Sequence, residues 1–289
     1  MSRVLVGADG SEDSRMALRW AATLAAAWGA PLRALWAWQY PEGAMLSSGS
    51  HDLPDPHDAD ELVEEQLRRL VADELGEGHT NVTVEAGRGP GAAALLRAAT
   101  QGPRMVVVGS RGLGGFKGLL LGSVSQQLCE HAPCPVTVVR RMAPVQPVRF
   151  ETIVVGIDGS VDAARALRFA ADLATKVGAE LVVANAAGPG DGVHQRDIEP
   201  SANLEARREL VATWCAPLKA SGVGFRTVVV RGDARTALLD IANEESADLL
   251  VVGSRGRGLV TQLLLGSVAS SLTRHGELPV TVVPHARQA

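Results

Sequence analysis

The chain is written twice. Residues 4–30, VLVGADGSEDSRMALRWAATLAAAWGA, align with residues 153–179, IVVGIDGSVDAARALRFAADLATKVGA, at an offset of 149, and 15 of 27 positions are identical. Residues 106–139 align with 250–283 at an offset of 144, with 20 of 34 identical. A period of half the chain is far longer than a solenoid unit of some 20–50 residues, so it denotes a duplicated domain. The offset changes by five in between. The polar stretches PEGAMLSSGSHDLPDPHDADE and GPGDGVHQRDIEPSANLE are the natural place for that loss. Two prolines in MAPVQPVRF mark a linker at about 142–150 and give domains at 1–143 and 150–289.

Each copy alternates strand and helix signals. In the first, residues 3–8, 32–38, 81–86, 104–109 and 134–140 read as strands. Residues after Ser11, 59–76, 91–99 and 116–131 read as helices. Ser11 is a candidate N-cap, followed by Glu12 and Asp13 where the helix dipole favours acids. Leu62, Leu67, Leu70 and Leu75 are expected on one apolar face of the second helix. The Val-rich runs do not alternate, as befits strands buried on both faces. The expected fold class is α/β, with two tandem doubly wound domains, each a five-stranded parallel sheet with helices on both faces.

Composition removes several classes of function. With 28 Lys+Arg against 32 Asp+Glu the chain lacks the basic excess that binding a nucleic-acid polymer needs. Its longest charge-free apolar stretch in the Ala/Trp-rich segment, between Arg19 and Arg33, is thirteen residues, too short to span a bilayer. Three cysteines without a C-x-x-C pair, and an N-terminus without a signal-peptide pattern, place the expected protein in a reducing cytoplasm, with no membrane partner.

The segment after the fourth strand carries most information. Gly109-Ser-Arg111-Gly112, nine further residues and Gly122-Ser123 recur as Gly253-Ser-Arg255-Gly256 and Gly266-Ser267. Glycine permits positive φ and lets a backbone come close to a ligand. At the carboxyl end of a parallel strand such a turn leads into a helix whose N–H groups can nest an anion, and Arg111 and Arg255 can add bidentate phosphate contacts. A tight turn alone would also use glycine here. The intervening residues have drifted, Gly115-Phe116-Lys117-Gly118 against Leu259-Val260-Thr261-Gln262, while the glycines persist.

With this spacing, with Asp9 in VGADGS and Asp158 in VGIDGS, and with the endings CPVTVV and LPVTVV, the chain resembles a tandem universal stress protein of the nucleotide-binding type along both halves. The resemblance implies ATP at the carboxyl edge, with magnesium as its candidate counter-ion. Gly7, Ala8, Asp9 and Ala37 would line the adenosine side of the first site, and Gly109, Arg111 and Gly112 would follow ribose and phosphates. Gly122, Ser123, Val124 and Ser125 would hold phosphates. The second site would use Gly156, Ile157, Asp158 and Ala186, then Gly253, Arg255, Gly256, Gly266, Ser267 and Val268. Ser125 corresponds to Ala269, and loss of that hydroxyl is expected to weaken phosphate binding at the second site by up to roughly ten- to a hundredfold. By the same resemblance the VTVV edges at 136–139 and 280–283 would pair the two domains into an intramolecular pseudo-dimer, with a homodimer of chains as a further possibility.

Other signals carry less. An Asp after a strand often caps the next helix, but Ser11 and Ser160 are rival caps that would free Asp9 and Asp158 for a ligand. Cys129, His131 and Cys134 suggest a metal, yet the second copy has Thr273, His275 and Leu278 there, so no metal site is expected. His131 and His275 fit a helix C-terminus. Trp36 and Trp38 are expected to pack against a helix, and His51 and His57 to sit in a solvated loop. No P-loop lysine, G-x-S-x-G elbow or H-E-x-x-H occurs. These features favour a stress or signalling protein governed by ATP occupancy, with hydrolysis slow or absent. An ATP-using hydrolase or transferase that draws on the acidic loop at 51–61, and an ATP-free assembly module, are the alternatives.

Overall fold

The computed structural model describes residues 3–40, 55–76, 81–114, 120–140, 148–188, 200–257 and 264–285. His51, Lys117, most of the polar stretches between the aligned blocks and most of the linker lie outside these residues. Contacts divide the chain into two compact units, Met1–Cys134 with Val138–Arg141, and Pro135–Thr137 with Met142–Ala289.

The first copy runs β1 (Val4–Gly7), α1 (Glu12–Ala27), β2 (Leu32–Trp38), α2 (Pro56–Leu75), β3 (Val82–Arg88), α3 (Gly91–Ala99), β4 (Met105–Gly109), α4 (Ser123–His131) and β5 (Val136–Val139). Its strands stand in the order β3-β2-β1-β4-β5. The β1–β2, β2–β3 and β1–β4 pairings are parallel. The path steps outward from β1 to β3, then returns across β1 to β4. Right-handed crossovers therefore put α1 and α2 on one face and α3 and α4 on the other. The reversal leaves a crevice at the carboxyl ends of β1 and β4, where open α/β sheets bind ligands.

The second copy repeats this with β6 (Thr152–Gly156), α5 (Val161–Val177), β7 (Glu180–Ala187), α6 (Pro200–Trp214), α7 (Ala216–Ser221), β8 (Phe225–Arg231), α8 (Ala234–Glu244), β9 (Leu249–Gly253), α9 (Ser267–His275) and β10 (Val280–Val283). The strand order is β8-β7-β6-β9-β10, with parallel pairings throughout. Pro217 lies in the first turn of α7, where its missing N–H does no harm, and it separates α7 from α6.

The central strands of both sheets are buried on both faces. Val4, Val6, Val106 and Val107 in the first copy, and Ile153, Val154, Leu250 and Val251 in the second, are fully buried. Each such side chain contributes roughly 1.5–3 kcal/mol relative to exposure. α1 closes over β1 and β4 with Ala17, Leu18, Ala21 and Leu24, whose spacing makes one apolar stripe. Two expectations change. α2 begins at Pro56, capped by Asp55, and its Leu62 is 61% exposed while Leu67 and Leu70 are buried. Five residues at 100° each turn Leu62 about 140° away from Leu67. α4 begins at Ser123, with Gly122 as an extended N-cap, so the helix expected from 116 does not include Leu120–Gly122.

Candidate functional site

The crevice of the first copy is built by three short segments. The β1 end delivers Gly7, Ala8 and Asp9, the β4 end delivers Gly109–Leu113, and the start of α4 delivers Gly122–Ser125. Ser11 and Ser160 are the N-caps of α1 and α5, accepting from Ser14 N at 3.3 Å and Ala163 N at 3.1 Å. The freed aspartates are nevertheless occupied. Asp9 Oδ1 accepts from Ser11 N at 3.0 Å and Ser11 Oγ at 2.6 Å, and its Oδ2 accepts from Leu113 N at 2.9 Å. Asp158 Oδ1 accepts from Ser160 N at 2.9 Å and Oδ2 from Arg257 N at 3.0 Å. Both carboxylates thus pin the glycine loop that faces them across the crevice.

This pinning corrects the reading of the glycines. None of Gly109, Gly112, Gly122, Gly253, Gly256 and Gly266 has positive φ. A β-carbon on Gly109 or Gly253 would stand 2.7 Å from the main chain of Asp13 or Asp162. On Gly112 it would collide with Asp9 Oδ2, and on Gly256 it would lie 2.6 Å from Asp158 Oδ2. On Gly122 or Gly266 it would press on the carbonyl of Ser110 or Ser254 at 3.2 or 3.1 Å. The chain's own acids and carbonyls fill the space that the missing side chains leave. Gly7 and Gly156 serve packing, beneath Leu95 and Leu238.

A second pair of acids takes part: the sequence gives Asp13 only a first-turn charge and does not single out Asp162. Asp13, 6% exposed, accepts from Ser110 Oγ at 2.6 Å and Arg111 N at 3.1 Å through Oδ2. Asp162, 2% exposed, accepts from Ser254 Oγ at 3.1 Å, and its Oδ1 bonds His285 Nδ1 at 2.7 Å. The signal was present: Asp13 matches Asp162 and Ser110 matches Ser254 under the two offsets. His285 also donates its main-chain N–H to Ser254 Oγ at 3.0 Å. At the first copy's loop a second cation was likewise missed. Burial foremost, and then neighbouring Arg111, hold Arg140 below the ordinary arginine value. Arg140 donates to Leu120 O at 2.8 Å.

The anion-facing groups are arranged alike in both copies. Gly122 N donates to Ser110 O, and Gly266 N to Ser254 O, each at 2.7 Å, which hangs α4 and α9 from the glycine loops. Neither helix has a side-chain cap among the described residues, and Ser123 and Ser267, which open them, are exposed. Arg111 is 53% exposed, while Arg255 Nε is buried without a hydrogen-bond partner among the described residues. Val124 and Ala37 converge on Gly91, at 3.2 and 3.9 Å from where its β-carbon would be. Ala8, Ile157 and Ala186 are buried, and Val268 is half-buried. Ser125 turns inward. It is 2% exposed and donates to Ser110 O and Gly122 O at 3.1 Å. Its hydroxyl braces the loop, so the basis for weaker phosphate binding beside Ala269 disappears.

The set-aside residues find local roles. His131 and His275 end α4 and α9. Cys129 and Cys134 are free and buried, and burial pushes both thiols up to about 12, which opposes the thiolate a metal requires. Trp36 lies beneath Gly10, and Trp38 Nε1 donates to Asp60 Oδ1 at 2.7 Å. Arg88 lowers the Asp60 carboxyl through its hydrogen bonds. No helix among the described residues is long and apolar enough to cross a membrane.

Comparison with known proteins supports the duplicated architecture. A universal stress protein of Mycolicibacterium smegmatis is 32% identical over 292 residues, covering 97% of this chain and 96% of that one. One from Mycobacterium bovis is 33% identical, with 99% and 97% covered. The crystal structure of a universal stress protein from Archaeoglobus fulgidus superposes with a TM-score of 0.68 at 25% identity, with 98% and 96% covered. Residues 1–140 and 149–284 each match the Universal stress protein family, and the chain belongs to that family.

Proposed function

We propose that the chain is an ATP-binding stress or signalling protein with one nucleotide site per copy, in domains bounded at 1–143 and 150–289. The single observation that carries this reading is the repeated helix start without a side-chain cap at the exposed Ser123 and Ser267, beside a glycine loop and an arginine, with Arg255 Nε buried and without a partner among the described residues. Buried donors without acceptors are rare and costly, and a phosphate oxygen is the partner that such a constellation fits. ATP, with magnesium balancing its charge, would supply a triphosphate for Gly109, Arg111, Gly112 and the Gly122–Ser125 N–H groups, and for Gly253, Arg255, Gly256, Gly266, Ser267 and Val268.

In this reading Gly7, Ala8, Asp9 and Ala37, and Gly156, Ile157, Asp158 and Ala186, line the adenosine side. Asp9 and Asp158 act by shaping the loop. Ser125 offers only its main-chain N–H. Arg140 joins Arg111 as a cation of the first site. The chain's residues bind and orient phosphates, and occupancy rather than turnover carries the signal. The VTVV runs join the two domains as a pseudo-dimer, two such chains can associate further, and the protein works in the cytoplasm. The test is to denature purified protein, identify released nucleotides, and titrate the emptied protein with ATP. Two ATP per chain are expected; the absence of both released nucleotide and ATP binding would refute the proposal.

A further inference from the structure

The two copies fasten the residue after the second loop glycine differently. In the first copy that residue is Leu113. Its amide is held by Asp9, but its side chain is 72% exposed. In the second it is Arg257. Its amide is held by Asp158, and its guanidinium carbon lies 4.9 Å from the ring centre of Trp214, the last residue of α6. Arg207, 4% exposed, approaches the same ring at 5.9 Å. Gly159, at φ +80°, lies so close beneath this stack that a β-carbon would collide with both Arg257 and Trp214. Trp214 therefore covers the turn that carries Asp158, where the first copy uses Trp36 from its strand to cover Gly10.

We infer that Arg257 and Trp214 are positioning residues, a latch that holds the Gly253–Arg257 loop in its binding geometry before ligand arrives. The inference rests on the nucleotide reading of the loop. A loop already ordered costs less to order on binding, so the latch raises affinity at the second site without touching the nucleotide. An exposed cation–π contact is worth about a two- to fivefold change in an equilibrium constant. The latch also assigns a role to the chain's second-copy tryptophan, the only one of five in that half.

The test uses the full chain and two readouts. Amide hydrogen exchange of the ligand-free protein follows the peptides covering 109–113 and 253–257, and calorimetric titration with ATP follows both sites. Arg257→Ala, an exposed substitution, should speed exchange in 253–257 alone and weaken one of the two ATP sites about two- to fivefold. Arg257→Lys, which keeps a cation over the ring, should restore much of both, and Trp214→Leu should reproduce the Arg257→Ala result. Unchanged exchange in 253–257 overturns the latch. Faster exchange with both affinities unchanged overturns the positioning role. If the unaltered chain binds no ATP at either site, the underlying reading fails, and the positioning role falls with it even where exchange responds.

Discussion

Gly109 and Gly112 are both kept free of a side chain by an aspartate, but by different parts of it, and that difference predicts unequal costs for the same substitution. Neither glycine has positive φ, so alanine brings no backbone strain of its own and the contact is isolated. In Gly109→Ala the new methyl stands 2.7 Å from the Asp13 carbonyl carbon and 2.8 Å from its β-carbon. These atoms belong to the first turn of α1, and moving them loosens the buried Asp13–Ser110 bond. Overpacking typically costs about 1–3 kcal/mol, and with main chain as the obstacle about 3 kcal/mol, less roughly 0.4–1 kcal/mol because alanine restricts the unfolded chain, so about 2–2.5 kcal/mol is expected here. In Gly112→Ala the methyl meets Asp9 Oδ2, the end of a side chain that can rotate away. The loss is then the carboxylate bond to Leu113 N, about 1.5–3 kcal/mol, offset by roughly 0.4–1 kcal/mol because alanine restricts the unfolded chain. The net is about 1–2 kcal/mol. Urea unfolding followed by tryptophan emission suits the measurement, since Trp20, Trp28, Trp36 and Trp38 all lie in the first copy. Gly253→Ala and Gly256→Ala should repeat the order in the second. Gly112→Ala costing as much as Gly109→Ala, or Gly109→Ala costing under 1 kcal/mol, would refute the steric argument.

Three further outcomes are expected. Ser125→Ala should lower stability by about 1 kcal/mol by removing the buried donor to Ser110 O, yet change ATP affinity less than about twofold; a tenfold loss would return the hydroxyl to the ligand. The cysteines should resist a disulfide reagent at pH 8 in the native protein and all three should react after denaturation, because burial raises Cys129 and Cys134 to about 12 and raises Cys215 as well. Asp60 has its folded carboxyl held below 3.8 by Arg88, so its stabilising effect is present above the unfolded carboxylate range and is lost as pH falls through the folded value. Asp60→Asn should therefore be less stable than the parent at pH 7 and converge on it toward pH 3 in paired thermal melts, and a gap that widens in acid would contradict this sign.

The fold was legible because its determinants are local or periodic. Strands buried on both faces read as Val runs, Ser11 and Ser160 announce helix starts, and the duplication checks each element against its copy. Helix phase was less secure: Leu62 falls among leucines in the sequence yet about 140° from their buried stripe. The candidate site was legible in its positions but not in its physics. A glycine records that something approaches the backbone, and the sequence cannot say whether that is a ligand or the chain itself. Here the approaching groups lie about a hundred residues away, Asp9 against Gly112 and Asp13 against Gly109. The acids and the glycines recur together in the second copy, as Asp158 with Gly256 and Asp162 with Gly253. Retention of the glycine spacing is thus already required for the loop to seat on its own acids. What internal seating does not require is an exposed helix start without a side-chain cap at Ser123 and Ser267, or a buried Arg255 Nε without an acceptor among the described residues. The case for a bound anion therefore rests on those groups, and the motif glycines support it only by holding the loop that presents them.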